Sequence, residues 1–172
     1  IIADERVRTI EILQLEIDSM VTKFPKAIIN LSGKIENKIK VMKALELENH
    51  VKIELKNNRY LDRVTGRTNA GIHKTDLIVY LREKNTPASL CSTGEQKALL
   101  TSIILAKASA RIKWSGSSPI LLLDEAVAHL DEKRRENLYE LITNMKLQCW
   151  FTGTDSLLFE PLKDTAYFIS IE

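Results

Sequence analysis

Little in this sequence assigns it to a secreted, membrane-spanning or metal-built class. Only two cysteines occur in 172 residues, Cys91 and Cys149, and no Cys/His spacing of a zinc site is present. They read as two reduced thiols, which removes a disulfide framework and a structural metal as the basis of the fold. No apolar run reaches membrane length, and neither a signal peptide nor a low-complexity tail is found, so the expected location is the cytoplasm, with no membrane partner. Charge of one sign is also missing. Twenty-five Lys and Arg face 23 Asp and Glu, a net charge of +2, so bulk electrostatics does not announce a nucleic-acid binder and any such contact must come from local clusters. Aromatics are scarce at 6%, and the 44% apolar share rests largely on Ile and Leu, enough for a real globular core.

What is present is concentrated in two motifs. Four apolar residues, Ile120-Leu121-Leu122-Leu123, deliver two adjacent carboxylates, Asp124 and Glu125. Such a run suits a strand buried on both faces of a parallel α/β sheet, whose ligands bind beyond the carboxyl ends of the strands. Two neighbouring carboxylates there repel one another and resist desolvation, an arrangement that makes sense around a metal ion and a polarised water. The plainer alternative is one helix cap and one solvated Glu.

About thirty residues earlier, Cys91-Ser92-Thr93-Gly94-Glu95-Gln96-Lys97 opens an apolar-rich helix expected to run to about residue 112. Ser92 with Glu95 three residues on is a capping box, worth about 1 kcal/mol. The same atoms admit a second use. A helix start with a free hydroxyl and a side-chain-less Gly94 lets backbone N–H groups approach a phosphate, aided by the helix dipole.

In this order and spacing the two motifs resemble the signature motif, Walker B strand and D-loop of the ABC-type ATPases. The wording is most similar to the carboxyl-terminal half of the RecF family of bacterial DNA replication and repair proteins. It is carried by Ser92-Thr93-Gly94-Glu95-Gln96-Lys97-Ala98-Leu99-Leu100, Leu122-Leu123-Asp124-Glu125, Ala128-His129-Leu130-Asp131-Glu132-Lys133-Arg134-Arg135 and Phe151-Thr152-Gly153-Thr154-Asp155. Upstream, Gly66-Arg67-Thr68 and Gly71-Ile72-His73-Lys74-Thr75-Asp76-Leu77 extend it, so that it runs in order from about residue 59 to the end. One departure stands out. No G-x-x-x-x-G-K-[ST] phosphate loop occurs; Gly33-Lys34 is followed by Ile35, and Ile28 stands where the first glycine would be. That loop supplies the backbone cradle and the Lys for the β- and γ-phosphates, so the chain reads as holding half of a nucleotide site.

The resemblance implies an α/β fold, an ABC-type ATPase lobe with a partly parallel sheet flanked by helices and an amino-terminal helical arm, incomplete without the P-loop half. It implies ATP and Mg²⁺ as cofactors, with Asp124 on the metal, Glu125 as general base, and Ser92, Thr93, Gly94, Glu95 and Gln96 on the γ-phosphate bound by a partner subunit. Asp131 would couple the two sites of a dimer, besides capping the helix that follows. Thr154 is the preferred switch residue after the last motif strand, with Thr152 nearly its equal. The implied activity is ATP-dependent dimerisation and binding of duplex DNA near single-strand gaps in recombinational repair, with slow hydrolysis and with mediators of the RecO and RecR type as partners. Two alternatives are another ABC-type ATPase of the chromosome-maintenance branch, and a non-catalytic dimerisation or DNA-binding module.

Periodicity divides the chain into an arm, residues 1–65, and a lobe, residues 66–172. Ile10, Ile17 and Phe24, with Leu13 and Met20 between, predict a helix over 4–24 with a coiled-coil-like seam. A strand over 27–31 and helices over 35–44 and 47–63 follow. In the lobe, strands are expected at 77–82, 120–124, 148–152 and 166–171, a helix at 132–145, and a helical turn near Leu157-Leu158-Phe159. Arg67 and Lys74 are the local candidates for phosphate contact. Arg111, Lys113, Lys133, Arg134 and Arg135 form either a basic patch or ordinary helix salt pairs.

Overall fold

The computed structural model describes residues 1–170. Its spine is one long helix, α4 (Thr93–Ser115), about 35 Å from end to end at 1.5 Å per residue. Ala98, Ala106, Ala108 and Ala110 keep its buried sides thin enough for elements to pack on two faces. Gly116 closes it in the left-handed region, φ 67 being matched at Gly66 after α3 and φ 65 found here, with its N–H on the carbonyl of Ile112.

On one side of α4 lie α1 (Ile2–Ser19), β1 (Ala27–Leu31) and β2 (Leu77–Leu81), with Ile17, Ala27, Ile29, Leu81, Leu99 and Ala106 as the buried cluster. β1 and β2 pair antiparallel, Ile29 opposite Val79, and the short β3 (Thr86–Pro87) adds to β2. On the other side lie β4 (Ile120–Leu123), α5 (Glu132–Asn144) and β5 (Gln148–Phe151), around Leu105, Leu121, Leu123, Val127, Leu138 and Ile142. β4 and β5 pair in parallel, Leu121 opposite Cys149, with α5 as their crossover. The fold is thus α/β with a parallel strand pair and flanking helices. It is a partial one. Parallel strands are ordinarily covered on both faces, yet Leu122 is 76% and Trp150 52% exposed on the uncovered face of this pair.

The seam residues of α1 face the buried cluster: Ile17 is buried, and Ile10, Leu13 and Met20 pack on it. The helix ends at Ser19, five residues before the expected Phe24. The Lys26 ammonium reaches back to the carbonyls of Ile17, Asp18 and Met20, satisfying acceptors that another helical turn would have used. Phe24 is buried in the opposite cluster.

α2 (Lys34–Ile39) is shorter than expected and α3 (Ala44–Thr65) longer; α3 buries none of its side chains. Residue 65 marks the end of that exposed helix, while α1 and β1, from the same side of the division, pack against α4 and β2 from the other. Glu36 locks the junction. Only 2% exposed, it accepts from Thr75 Oγ1 at 2.8 Å and pairs with Arg6, which also donates to the carbonyl of Ile72 at 2.7 Å. A Cβ at Gly33 would strike the Glu36 carboxylate, which explains glycine there.

Residues 166–170 form no strand, against the expectation for 166–171; Ile171 lies outside the described residues. Tyr167, Phe168 and Ile169 are exposed. Their alternation suits a strand, but a strand forms only where its N–H and C=O groups meet a neighbour, and this segment has no ladder partner among the described residues.

Candidate functional site

The carboxylate pair emerges from the carboxyl end of β4. Leu121 and Leu123 are buried and fix the strand, so that Asp124 and Glu125 leave it at the surface. Glu125 has φ 49, the left-handed region, which costs a residue carrying a side chain about 1–2 kcal/mol. It turns the chain sharply away from the sheet, after which Val127 and Leu130 plunge back into the core and leave Ala128 and His129 exposed between them. Residues 127–130 therefore form a surface arch pinned at two apolar feet.

Thr152 holds the pair from the neighbouring strand end. Its hydroxyl donates to Asp124 Oδ1 at 2.5 Å and accepts the Glu125 N–H at 3.0 Å. Its own N–H donates to the carbonyl of Leu123 at 3.2 Å, prolonging the β4–β5 ladder by one bond. Thr154, the preferred switch residue on sequence grounds, is exposed two residues further on and makes no hydrogen bond to the pair among the described residues. The parallel register explains the difference: Phe151 stands opposite Leu123, so the next residue, Thr152, faces the carboxylates.

The donor set suits Mg²⁺. It offers hard carboxylate oxygens and no wider grouping of His, Cys, Asp and Glu among the described residues. Mg²⁺ ordinarily takes one or two carboxylates and fills its octahedron with water and phosphate oxygens. Asp124, with Oδ1 held by Thr152, would present its other oxygen to the metal.

The signature residues stand at the start of α4, and the capping box is formed. Ser92 Oγ accepts the Glu95 N–H at 3.3 Å, while Glu95 Oε2 accepts the Ser92 N–H and hydroxyl, both at 2.9 Å. Lys84 pairs with the other Glu95 oxygen at 2.6 Å. That ammonium and the two Ser92 bonds bring the Glu95 carboxyl down to about 2. Gly94 is open, with nothing within 4 Å of where a Cβ would stand, so backbone can be approached there from outside. Thr93 and Gln96 are exposed, and Gln96 Nε2 donates to the carbonyl of Cys91 at 3.1 Å. No hydrogen bond joins this corner to the carboxylate pair among the described residues. The two groups sit on different elements of one spine.

Asp131 caps α5, accepting the Arg134 N–H at 2.9 Å, and its other oxygen pairs with the Arg134 guanidinium at 3.5 Å. Among the five residues of the suggested basic patch, Arg134 is paired in this way and Lys113 with Glu16 of α1 at 2.7 Å. His73 Nε2 donates to the carbonyl of Thr68 at 2.9 Å within an exposed turn that also carries Arg67 and Lys74. Lys84 was not singled out by its sequence context. Its only signal there is a basic residue in a short loop ahead of the capping box. A groove of about 310 Å³ between α5 and the segment Ser156–Leu162, lined by Tyr139, Asn144 and Pro161 among others, lies away from the motif residues.

No protein-family profile matches the chain. Curated relatives do. It is 42% identical over 170 residues to the DNA replication and repair protein RecF of Rickettsia felis, covering 99% of this chain and 46% of that protein. It is 49% identical over 148 residues to RecF of Brucella abortus, covering 86% of this chain and 38% of the relative. The chain therefore spans about half the length, or less, of the curated relatives it matches. Among solved structures it resembles the recombination mediator protein RecF with ATPrS in the RecFOR pathway, with a TM-score of 0.66 at 20% identity, over 88% of this chain and 40% of that one. That likeness concerns the fold.

Proposed function

We propose that this chain, which corresponds to the carboxyl-terminal part of the RecF proteins, supplies the signature and carboxylate half of an ATP site that closes between two subunits. The observation that carries the reading is the placement of Asp124 and Glu125 at the carboxyl end of a parallel strand, where α/β sheets bind their ligands. In this role Asp124 holds Mg²⁺ beside the β- and γ-phosphates. Glu125 orients the attacking water and accepts its proton. Ser92, Thr93, Gly94, Glu95 and Gln96 offer a hydroxyl and backbone N–H groups to the γ-phosphate held by the partner's P-loop, and Asp131 relates the two sites across the dimer. One phosphate then joins two subunits, and hydrolysis releases them.

The uncovered apolar face of β4 and β5 fits a lobe whose remaining strands lie in a P-loop-bearing half. The exposed helix α3 is the arm of this reading. The biological setting we propose is that of the RecF relatives, DNA replication and repair, with binding of DNA near single-strand gaps in the cytoplasm and with partners of the RecO and RecR type.

The test is ATP-driven dimerisation, followed by light scattering, of this chain completed by a P-loop-bearing RecF amino-terminal half. Dimers that form with ATP and vanish in Ser92→Arg support the reading. Absence of any ATP-driven dimer would overturn it in favour of a non-catalytic binding module.

A further inference from the structure

We propose that Thr152 is a positioning residue for hydrolysis, its hydroxyl fixing Asp124 and the Glu125 backbone as one unit. The inference deepens the proposed function and rests on it.

Three bonds converge on this residue, each constraining a different part of the site. The hydroxyl proton goes to Asp124 Oδ1 at 2.5 Å, which leaves the second carboxylate oxygen to face a cation. A hydroxyl lone pair takes the Glu125 N–H at 3.0 Å. The Thr152 N–H is tied to the Leu123 carbonyl at 3.2 Å, so the side chain is carried on backbone that belongs to the sheet.

The Glu125 backbone is where such support is needed. At φ 49 it occupies a region that residues with a Cβ avoid, and without a partner for its N–H the turn would relax toward an ordinary conformation. Relaxation would swing the Glu125 side chain off its line to the attacking water. A misplacement of that kind, about 1 Å, costs on the order of 100-fold in rate. The requirement is chemical as well as steric. One group must donate to a carboxylate and accept from an amide at once, which a hydroxyl does and an aliphatic side chain of the same shape does not.

This role differs from that of a residue contacting the γ-phosphate directly. Thr152 acts through its neighbours. Its removal should therefore spare nucleotide-driven association and strike the chemical step.

Two measurements test it. In the chain as it stands, hydrogen exchange at the Glu125 amide is followed by NMR in the unaltered protein, Thr152→Val and Thr152→Ser. Faster exchange in the valine variant alone is expected, and equal exchange in all three would overturn the proposal. In the protein completed by a P-loop half, single-turnover hydrolysis is compared with dimerisation. Thr152→Val should dimerise with ATP yet hydrolyse about 100-fold more slowly, with a raised Mg²⁺ requirement, and Thr152→Ser should recover most of the rate. Unchanged hydrolysis in Thr152→Val overturns the positioning role while leaving the ATPase reading intact. Absence of ATP-driven association and turnover in the unaltered protein overturns both.

Discussion

The two motif corners of this molecule are built by different means. The carboxylate corner is held from below: Leu121, Leu123, Val127 and Leu130 are buried around it, and only the final orientation is left to a hydroxyl. The signature corner is held from outside, by an exposed ammonium on Glu95 and a capping box at the surface. The first arrangement resists displacement because moving it breaks the core. The second can change partners, since exposed ion pairs contribute little to stability and are screened by salt. The proposed function would be served by that division, with the carboxylates built on the core and the exposed Ser92–Glu95 corner able to exchange its contacts.

The sharpest way to break this comparison is to separate chemistry from association. Glu125→Gln keeps the shape of the carboxylate corner and removes the proposed base. In the completed protein we expect turnover to fall by about 100-fold or more, with ATP-bound dimers accumulating. Turnover at the unaltered rate would remove Glu125 from its assigned role. Ser92→Arg is the opposite lesion, leaving the carboxylates untouched and blocking the surface where the partner's phosphate would dock.

Stability should divide in the same way. Leu138 is fully buried beneath the carboxylate corner, and truncation to Ala removes packing that the rigid strand pair cannot replace. A loss of about 2–5 kcal/mol is expected for Leu138→Ala in urea unfolding of this chain. A loss below about 1 kcal/mol would show that this side of α4 is not the close-packed one.

Much of this architecture was legible because it is written in local patterns. The apolar run before Asp124, the Ser92–Glu95 capping box and Asp131 as helix cap each depend on residues a few positions apart; the box and the cap form as read, and the run forms its strand but is buried on one face only. What was not legible depends on neighbours distant in sequence. The early end of α1 is set by Lys26 folding back on its carbonyls, a tertiary event that the Ile10–Ile17–Phe24 spacing does not encode. The strand expected at 166–171 had the right alternation, but alternation does not state whether an edge is available. Which of Thr152 and Thr154 meets the carboxylates is set by the register of β4 against β5, and register is fixed by pairing rather than composition. Glu36 was invisible for a related reason. A carboxylate in a surface-like run became the most deeply buried charge among the described residues once Arg6 and Thr75 closed on it.

The smallest effect expected is also the one that probes the adjustable corner directly. Glu95 has its carboxyl at about 2 against an ordinary 4.5, chiefly because of Lys84 and then of Ser92. A depressed carboxyl adds stability that is complete above the ordinary value and is lost as the pH falls from about 4.5 toward 2, the protonated form releasing Lys84 and both Ser92 bonds. In Lys84→Met the ammonium is gone while the capping box persists, so the Glu95 titration should move upward, part of the way back to the ordinary range. Acid unfolding should show a correspondingly smaller pH dependence in that window. The unfolding midpoint should fall slightly at neutral pH and by less at pH 3, because the pair acts only while Glu95 is ionised and, being exposed, is screened by solvent. Carboxyl NMR of Glu95 in the two proteins checks the first expectation, and urea midpoints at pH 3 and 7 check the second. A Glu95 titration that is the same with and without Lys84 would mean that the serine bonds alone hold the carboxylate, and that the signature corner is as fixed as the carboxylate corner beneath which the core is built.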